Sequence, residues 1–508
     1  MFLIIIALLV FSGCYQTPTN RLDQVIVGIE TNPGNLDPRY AVDAQSHKIT
    51  KLVFSSLFRR DNDDNLEPDL VARTELPDET TYIFYLKKGV KFHDGHPLTA
   101  TDVKFTIDSI INPSTHSPYS KLFDLVEEVV VESPYKVILH LKNPLAPFLE
   151  NLTIGILPQH LVKKGEEAFR KSLVGSGPFR LKQYRKDSHI ILERFPEYFA
   201  GAAKIERIIF KIIPDTTVRM LELVHGSVDI VQNDFPPFLL SWLEARPNIK
   251  IMKRPGHNFR YLAFNLKDPI LGQRLVRQAI AHAINREELI QYKLKGLGTL
   301  ANTLIPPDSW AFEGQVPAYE YNPAKAQALL DKAGYPVTDG SGQGQGFRFG
   351  LLHKTSQNQL GIDIARAIQR YLRNIGIDMK IRVNEFQIFF SDLMQGDFQL
   401  YCLTAPEISD PDYLYYLYHS ASWPPNGGNR VRYHNPLMDR LIEQGRMTLS
   451  QTTRKIIYSQ IQEIAAGDLP FLGLWHEMNV AVMNHNIRGY KVTPGASYIS
   501  LRDAWKEP

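Results

Sequence analysis

Three times in this chain an amphipathic helix pattern stops at a glycine and runs straight into a strand pattern. Ile364, Ile368, Tyr371, Leu372 and Ile375 form one helical stripe; Gly376 stops it, and Ile377, Met379, Ile381 and Val383 then alternate. Asp215 can cap a helix with Val218, Leu221 and Val224 on one face, ended by Gly226 and followed by a strand over Val228-Asp229-Ile230-Val231. The third case is Phe389 to Gln395, then Gly396, then Phe398-Gln399-Leu400. Helices that alternate with strands bury both faces of a sheet, so the fold class is α/β. A chain of 508 residues is too long for one core, so two or three lobes are expected.

Local signals fix further elements. Tyr82 to Leu86 is aromatic and β-branched, as a pleated surface favours, and Gly89 and Asp94-Gly95 supply turns after it. Thr99 stands three residues before Asp102, a capping-box start for a helix that stops near Asn112-Pro113. Leu275, Val276, Ala279, Ile280, Ala283 and Ile284 share one helical face; Asn285 then caps the next helix, with Glu288 three residues on. Asn322-Pro323 opens another helix, with Leu329 and Leu330 facing inward and Gly334 closing it. Asp339 to Gly346 reads as a surface loop and lacks the lysine of a nucleotide-phosphate loop.

Composition matters mainly for what it excludes. The formal net charge is +3 and no polybasic run exists, so nucleic acid is not an expected partner. Arg59-Arg60 with Asp61, Asp63 and Asp64 reads as a solvated turn, since the calcium-loop spacing is absent. The fifteen histidines show no paired ligand spacing on a helix face, so no metal and no cofactor is expected. Hydrolase motifs are incomplete. Gly175-Ser176-Gly177 lacks the nucleophile-elbow spacing, Val480 stands where a second zinc histidine would follow His476-Glu477, and His93-Asp94 reads as a turn.

Phe2 to Phe11 is an apolar run of ten residues ending in Ser12-Gly13-Cys14, short for a membrane span and right for a signal-peptide core. Small residues before a cysteine resemble a lipobox, which would make Cys14 the lipidated first residue of the mature chain. Several acyl chains would then hold it at a membrane. The other cysteine, Cys402, lies in the apolar run Phe398 to Leu403 and reads as a small buried hydrophobe, so no intramolecular disulfide is expected.

The stretch from Tyr82 to Thr106, with Leu86-Lys87-Lys88-Gly89-Val90-Lys91-Phe92-His93-Asp94-Gly95-His96-Pro97-Leu98-Thr99-Ala100, resembles the signature of bacterial extracellular solute-binding proteins of family five. These are the oligopeptide, dipeptide and nickel-type receptors of ABC importers. The likeness continues through Leu36-Asp37-Pro38, Gly175-Ser176-Gly177-Pro178-Phe179 and Tyr261-Leu262-Ala263-Phe264-Asn265. It extends over Val276-Arg277-Gln278-Ala279-Ile280, Asn285-Arg286-Glu287-Glu288-Leu289, Ala324 to Tyr335 and Asp410-Pro411-Asp412, and so spans nearly the whole mature chain.

The resemblance implies a type II periplasmic-binding fold of two hinged lobes. Lobe I would comprise residues 23–50, 173–265 and 480–508, an inserted subdomain 51–172, and lobe II 266–479, with crossings near Phe264-Asn265 and Asn479 to Met483. It also implies a peptide or peptide-like solute held in the interlobe cleft by a monomer that delivers it to a permease served by separate ATPase subunits. A receptor of the same fold for a metal chelate, opine or glycoside is the alternative; an envelope hydrolase is the alternative of another class. Relatives meet the ligand α-ammonium with an acid shortly before Asp410; the matching residue here is Glu407, which reads equally as a surface loop acid. Thr404 replaces their tryptophan, and Ile362 and Asp363 stand where dipeptide binders place an arginine for the ligand carboxylate. Asp410, Tyr413, Trp423, Asn35 and Ser176 complete the candidate ligand contacts, while Tyr413, Tyr415, Tyr416, Tyr418 and Trp423 read alternatively as packing beneath the Asp410 loop.

Overall fold

The computed structural model describes residues 22–233, 235–337 and 346–508. Its frame is a large mixed sheet. In spatial order the strands are Ile377–Asn384, Phe349–Ser356, Leu400–Ala405, Ile249–Phe264, Phe471–Asn484, Ile230–Gln232, Gln24–Ile29, Arg207–Ile212, His189–Arg194 and Phe179–Arg185. Two of these, Ile249–Phe264 and Phe471–Asn484, are long and pair antiparallel, and they join the two halves of the sheet. Their register breaks between Pro255 and Phe259 and again between Arg260 and Tyr261. Such irregularities bend and twist a strand pair.

The core changes at those breaks. On one side Val480 and Val482 pack with Val228, Val231 and Leu243. On the other, Phe259, Tyr261 and Ala263 pack with Tyr401, Leu414 and Phe471, while Leu262 and Phe264 face Ile280, Ile368 and Leu400. Alternate residues of a strand face opposite sides, so this segment is covered on both faces. The far end of the sheet has its own core around Val25, Val27, Leu192, Ile208 and Phe210. Between Gln24–Ile29 and Phe179–Arg185 the chain builds a separate antiparallel sheet of Val71–Glu75, Thr81–Leu86, Lys136–Leu141 and Val126–Ser133. Phe84, Phe92, Val103 and Leu139 fill its core.

Local signals and local structure agree at most helix ends. Asp215, Asn285 and Asn322 each cap as expected, and Gly396 ends its helix with φ +81°. Asp102 closes a capping box with Thr99. Its second oxygen accepts from the Gln159 N–H at 3.0 Å, tying the helix Ala100–Ile111 to Gln159–Val162.

One helical face is not the one expected. Val218 and Leu221 are 46% and 45% exposed, while Arg219, Met220 and Leu223 are buried. Arg219 enters the interior because its guanidinium reaches the carbonyls of Ile213 and Pro214. Cys402 is buried in a strand, as expected, and burial pushes its thiol up to about 12. Cys14 and nearly all of the glycine-rich loop from Asp339 lie outside the described residues.

Two quoted motifs dock on one another. His93 accepts from the Gly175 N–H at 3.2 Å, and its other ring nitrogen lies 3.0 Å from the Gly177 carbonyl. Burial pushes the His93 pKa down to about 4, so the ring is neutral and donates to that carbonyl. Gly175 and Gly177 press on the end of the helix Ala44–Val53. A Cβ at Gly175 would stand 2.0 Å from the Val53 carbonyl oxygen, so no side chain fits there.

Candidate functional site

A cavity of about 220 Å³ opens where the helix Ala44–Val53, the hairpin Phe58–Arg60 to Leu66–Pro68, the segment around Glu150 and one loop at Glu407 meet. The helix Ala44–Val53 supplies His47, Thr50 and Lys51; the turn after Phe58–Arg60 supplies Asp61 and Asp64; Tyr119, Glu150 and Tyr198 close other sides. Glu407 and Ser409 reach in from the second half. Charges of both signs line it, so a zwitterionic or polar solute suits it better than an apolar one.

Most of those charges are already engaged. Arg60 pairs with Glu150 and with Asp64, the latter at 3.7 Å. Arg59 pairs with Glu67 at 2.8 Å and faces Asp69 at 3.8 Å. Burial pushes Glu150 up to about 7 against the pull of Arg60. The Arg59 to Asp64 cluster is only partly the solvated turn expected: Asp63 is 67% exposed and Asp61 closes a local turn with Asp63 and Asn65, whereas Asp64 is buried against partners distant in sequence. Ser409 donates to Asp64 at 2.9 Å, directly across the two halves.

Glu407 stands apart. Its backbone holds φ +46°, and its N–H donates to the Asn258 side chain at 3.0 Å. Its carboxylate lies 3.5 Å from His47 and is 36% exposed toward the cavity. Burial raises its pKa, but the His47 hydrogen bond and the charges of Lys51, His47 and Lys48 outweigh that and hold it down at about 2. It is thus a fixed anion that still has room for a donor.

The other candidates lie elsewhere. Asp410 accepts from the Asp412 N–H at 2.8 Å and faces Arg454 at 3.4 Å. Thr404 bridges Arg260 and Glu477. Asn35 makes a local turn with Asp37, and Ser176 is fully buried against Ser55. Tyr413 packs against Tyr416, and the Trp423 ring is flanked by Lys267 and Arg432. None of these six lines the cavity. Of the tyrosines, Tyr418 is buried against Phe471 and Tyr433, as in the packing alternative, whereas Tyr416 is 40% exposed.

His476 and Glu477 form no metal pair. His476 is buried with its pKa pushed down to about 4, and Glu477 accepts from Asn258 and Thr404. At a different place, Asp94, His96 and His160 bring donor atoms within 4.8 Å of one another. Sequence spacing hid them because 66 residues separate Asp94 from His160.

Two halves joined by a pair of long strands, with a polar cavity walled by both, define a two-lobed binding protein. The profile of "Bacterial extracellular solute-binding proteins, family 5 Middle" matches residues 65–425, and the chain belongs to that family. It is 29% identical over 498 residues to the oligopeptide-binding protein AppA of Bacillus subtilis (strain 168), covering 95% of this chain and 91% of that one. The solved structure of AppA from Bacillus subtilis with a nonapeptide superposes with a TM-score of 0.79 at 28% identity, covering 96% of this chain and 99% of that one. NikZ from Campylobacter jejuni in complex with Ni(L-His) superposes with a TM-score of 0.81 at 25% identity, covering 95% and 99%. The fold is the α/β, two-lobe type II binding architecture. No helix among the described residues is long and apolar enough to cross a membrane.

Proposed function

We propose that this protein is the extracytoplasmic receptor of an ABC importer, capturing a short peptide or peptide-like solute in the cavity at Glu407. The single observation that carries the peptide reading is that fixed carboxylate, facing the cavity from the second half while the remaining charges are largely engaged with one another. A carboxylate so held accepts a charge-assisted hydrogen bond from a solute ammonium group. The volume of about 220 Å³ lies below that of ordinary drug-sized pockets, which favours a compact solute over a long extended chain.

The lobes would be residues 23–50, 173–255 and 479–508 on one side and 259–478 on the other, with 51–172 inserted in the first. In this reading the crossing lies at Gly256-His257-Asn258 and not at Phe264-Asn265; the packing of Phe264 with Ile280, Ile368 and Leu400 supports it. Lipidation at Cys14 would anchor the monomer at the membrane, where a permease receives the closed form and separate ATPase subunits supply the energy.

A solute that touches both lobes only when they are closed shifts the population toward that form. Small-angle scattering should therefore show a smaller radius of gyration on adding solute recovered from the denatured protein and identified by mass spectrometry. An unchanged radius would count against closure. Glu407→Gln should weaken binding about tenfold or more, the worth of one charge-assisted hydrogen bond; equal affinity in a titration would remove Glu407 from the site.

A further inference from the structure

The structure assigns a divalent-cation site to Asp94, His96 and His160, on the inserted subdomain and outside the solute cavity. The His160 Nε2 lies 2.7 Å from the Asp94 Oδ2, and the His96 Nδ1 lies 3.3 Å from the same oxygen. All three donor atoms fall within 4.8 Å of one another. Ligands at about 2.0–2.1 Å on a tetrahedral ion stand about 3.3 Å apart; the His96–Asp94 pair already has that spacing, and the His160–Asp94 pair need only open from 2.7 Å to admit an ion. The imidazoles are stacked, with centroids 4.0 Å apart, and both present a nitrogen to the carboxylate.

The donors are held in place by their surroundings. Asp94 Oδ1 accepts from the His96 N–H at 3.1 Å, and the Phe92 N–H donates to the His96 carbonyl at 2.8 Å, which closes the turn. His160 follows Gln159, whose N–H is fixed by Asp102 at 3.0 Å, and its ring packs on Phe92 at 5.9 Å. The capping-box acid thus sets the helix and also the entry of the third ligand. His93 next door is not a member, since both of its ring nitrogens are used by Gly175 and Gly177.

Two imidazoles and one carboxylate suit a borderline ion such as zinc, nickel or copper, not calcium or magnesium, which prefer oxygen. His96 is 58% exposed, so an ion enters without unfolding and keeps an open position for water. Bound there, it cross-links the turn to the segment at Gln159–Val162 and closes the chain between them.

The test uses the full chain stripped of metal and titrated with zinc chloride alone in a calorimeter. One ion should bind per chain at this site, and the melting temperature should rise with zinc. His96→Ala, at an exposed side chain, should fold normally, weaken binding about tenfold or more and abolish the zinc-dependent rise. His160→Ala should do the same. Absence of stoichiometric binding, or unchanged affinity in folded His96→Ala, would overturn the assignment.

Discussion

Arg286→Ala is expected to lower the unfolding free energy of the second half by about 3–5 kcal/mol, read as a lower urea midpoint by circular dichroism. Arg286 is 5% exposed and makes no ion pair among the described residues. Its guanidinium donates to the carbonyls of Ala301 at 2.9 Å, Gly473 at 2.8 Å and Tyr319 at 3.0 Å, and to the Asn302 side chain at 3.1 Å. Those acceptors belong to the long strand Phe471–Asn484 and to two loop segments, so one side chain joins three pieces of backbone. Burial pushes the Arg286 pKa down to about 10, which leaves it charged at neutral pH. Removing it strands three buried carbonyls, each worth about 1–3 kcal/mol when unpaired, with partial relief from relaxation, while the exposed Asn302 side chain turns to water. Arg286→Lys should recover only part of the loss, because an ammonium cannot reproduce the planar fork. A midpoint unchanged in Arg286→Ala would mean that water replaces the guanidinium at no cost.

Arg286 also marks where reading the sequence reached its limit. The helix around it was legible: Asn285 offers a cap, Glu288 stands three residues on, and both signals act within one turn. The burial of its arginine was not, since a charge on a helix reads as solvated until its partners are known. Arg277 repeats the point, donating to carbonyls of Leu271, Gly272, Asp468 and Leu469. The exposed Val218 and Leu221 are the converse error, where an apolar stripe lost the interior to Arg219.

The site was less legible than the fold for the same reason. Glu407 was found through a family resemblance, and the structure puts its carboxylate on the cavity wall. Thr404 was named because relatives carry a tryptophan there, and Asp410 as part of an Asp-Pro pair; the first bonds Arg260 and Glu477 and the second faces Arg454. Asp64 and Ser409 meet across 345 residues of chain, a distance no local pattern encodes. The dense charge at Arg59 to Asp64 was the available clue; it read as solvent-facing, which holds for Asp63, but the His257 and Ser409 that cover Asp64 lie far along the chain.

The second large effect is a pH dependence set by His257, which sits in the stretch where the core changes over. Its Nδ1 lies 3.0 Å from Asp64, in the turn after Phe58–Arg60, and its Nε2 lies 3.1 Å from Asp308, after the strand Gly298–Leu300. Both contacts are fully made only by the imidazolium, which donates from both nitrogens. Burial opposes that charge, but the hydrogen bonds to Asp308 and Asp64 outweigh it and raise the pKa to about 9. Arg60 faces Asp64 from the cavity side, and the neighbouring His476 stays neutral, burial holding it down at about 4. Because the folded pKa exceeds the free value of about 6.5, the stabilisation is complete below that pH and is lost as pH rises through about 9. The exposed side of Asp308 screens the pair, so the expected contribution is about 2 kcal/mol. Urea unfolding of the unliganded protein between pH 6 and pH 9.5, bounds chosen to bracket about 6.5 and 9, should show that loss relative to His257→Gln. The variant should already be weakened at the acid end and should lack this component of the slope. Scattering should show the same titration if the His257 bridge also holds the lobes together, with the radius of gyration growing as the imidazolium loses its proton. Parallel stability curves for the two proteins would remove His257 as the titrating link between Asp64 and Asp308.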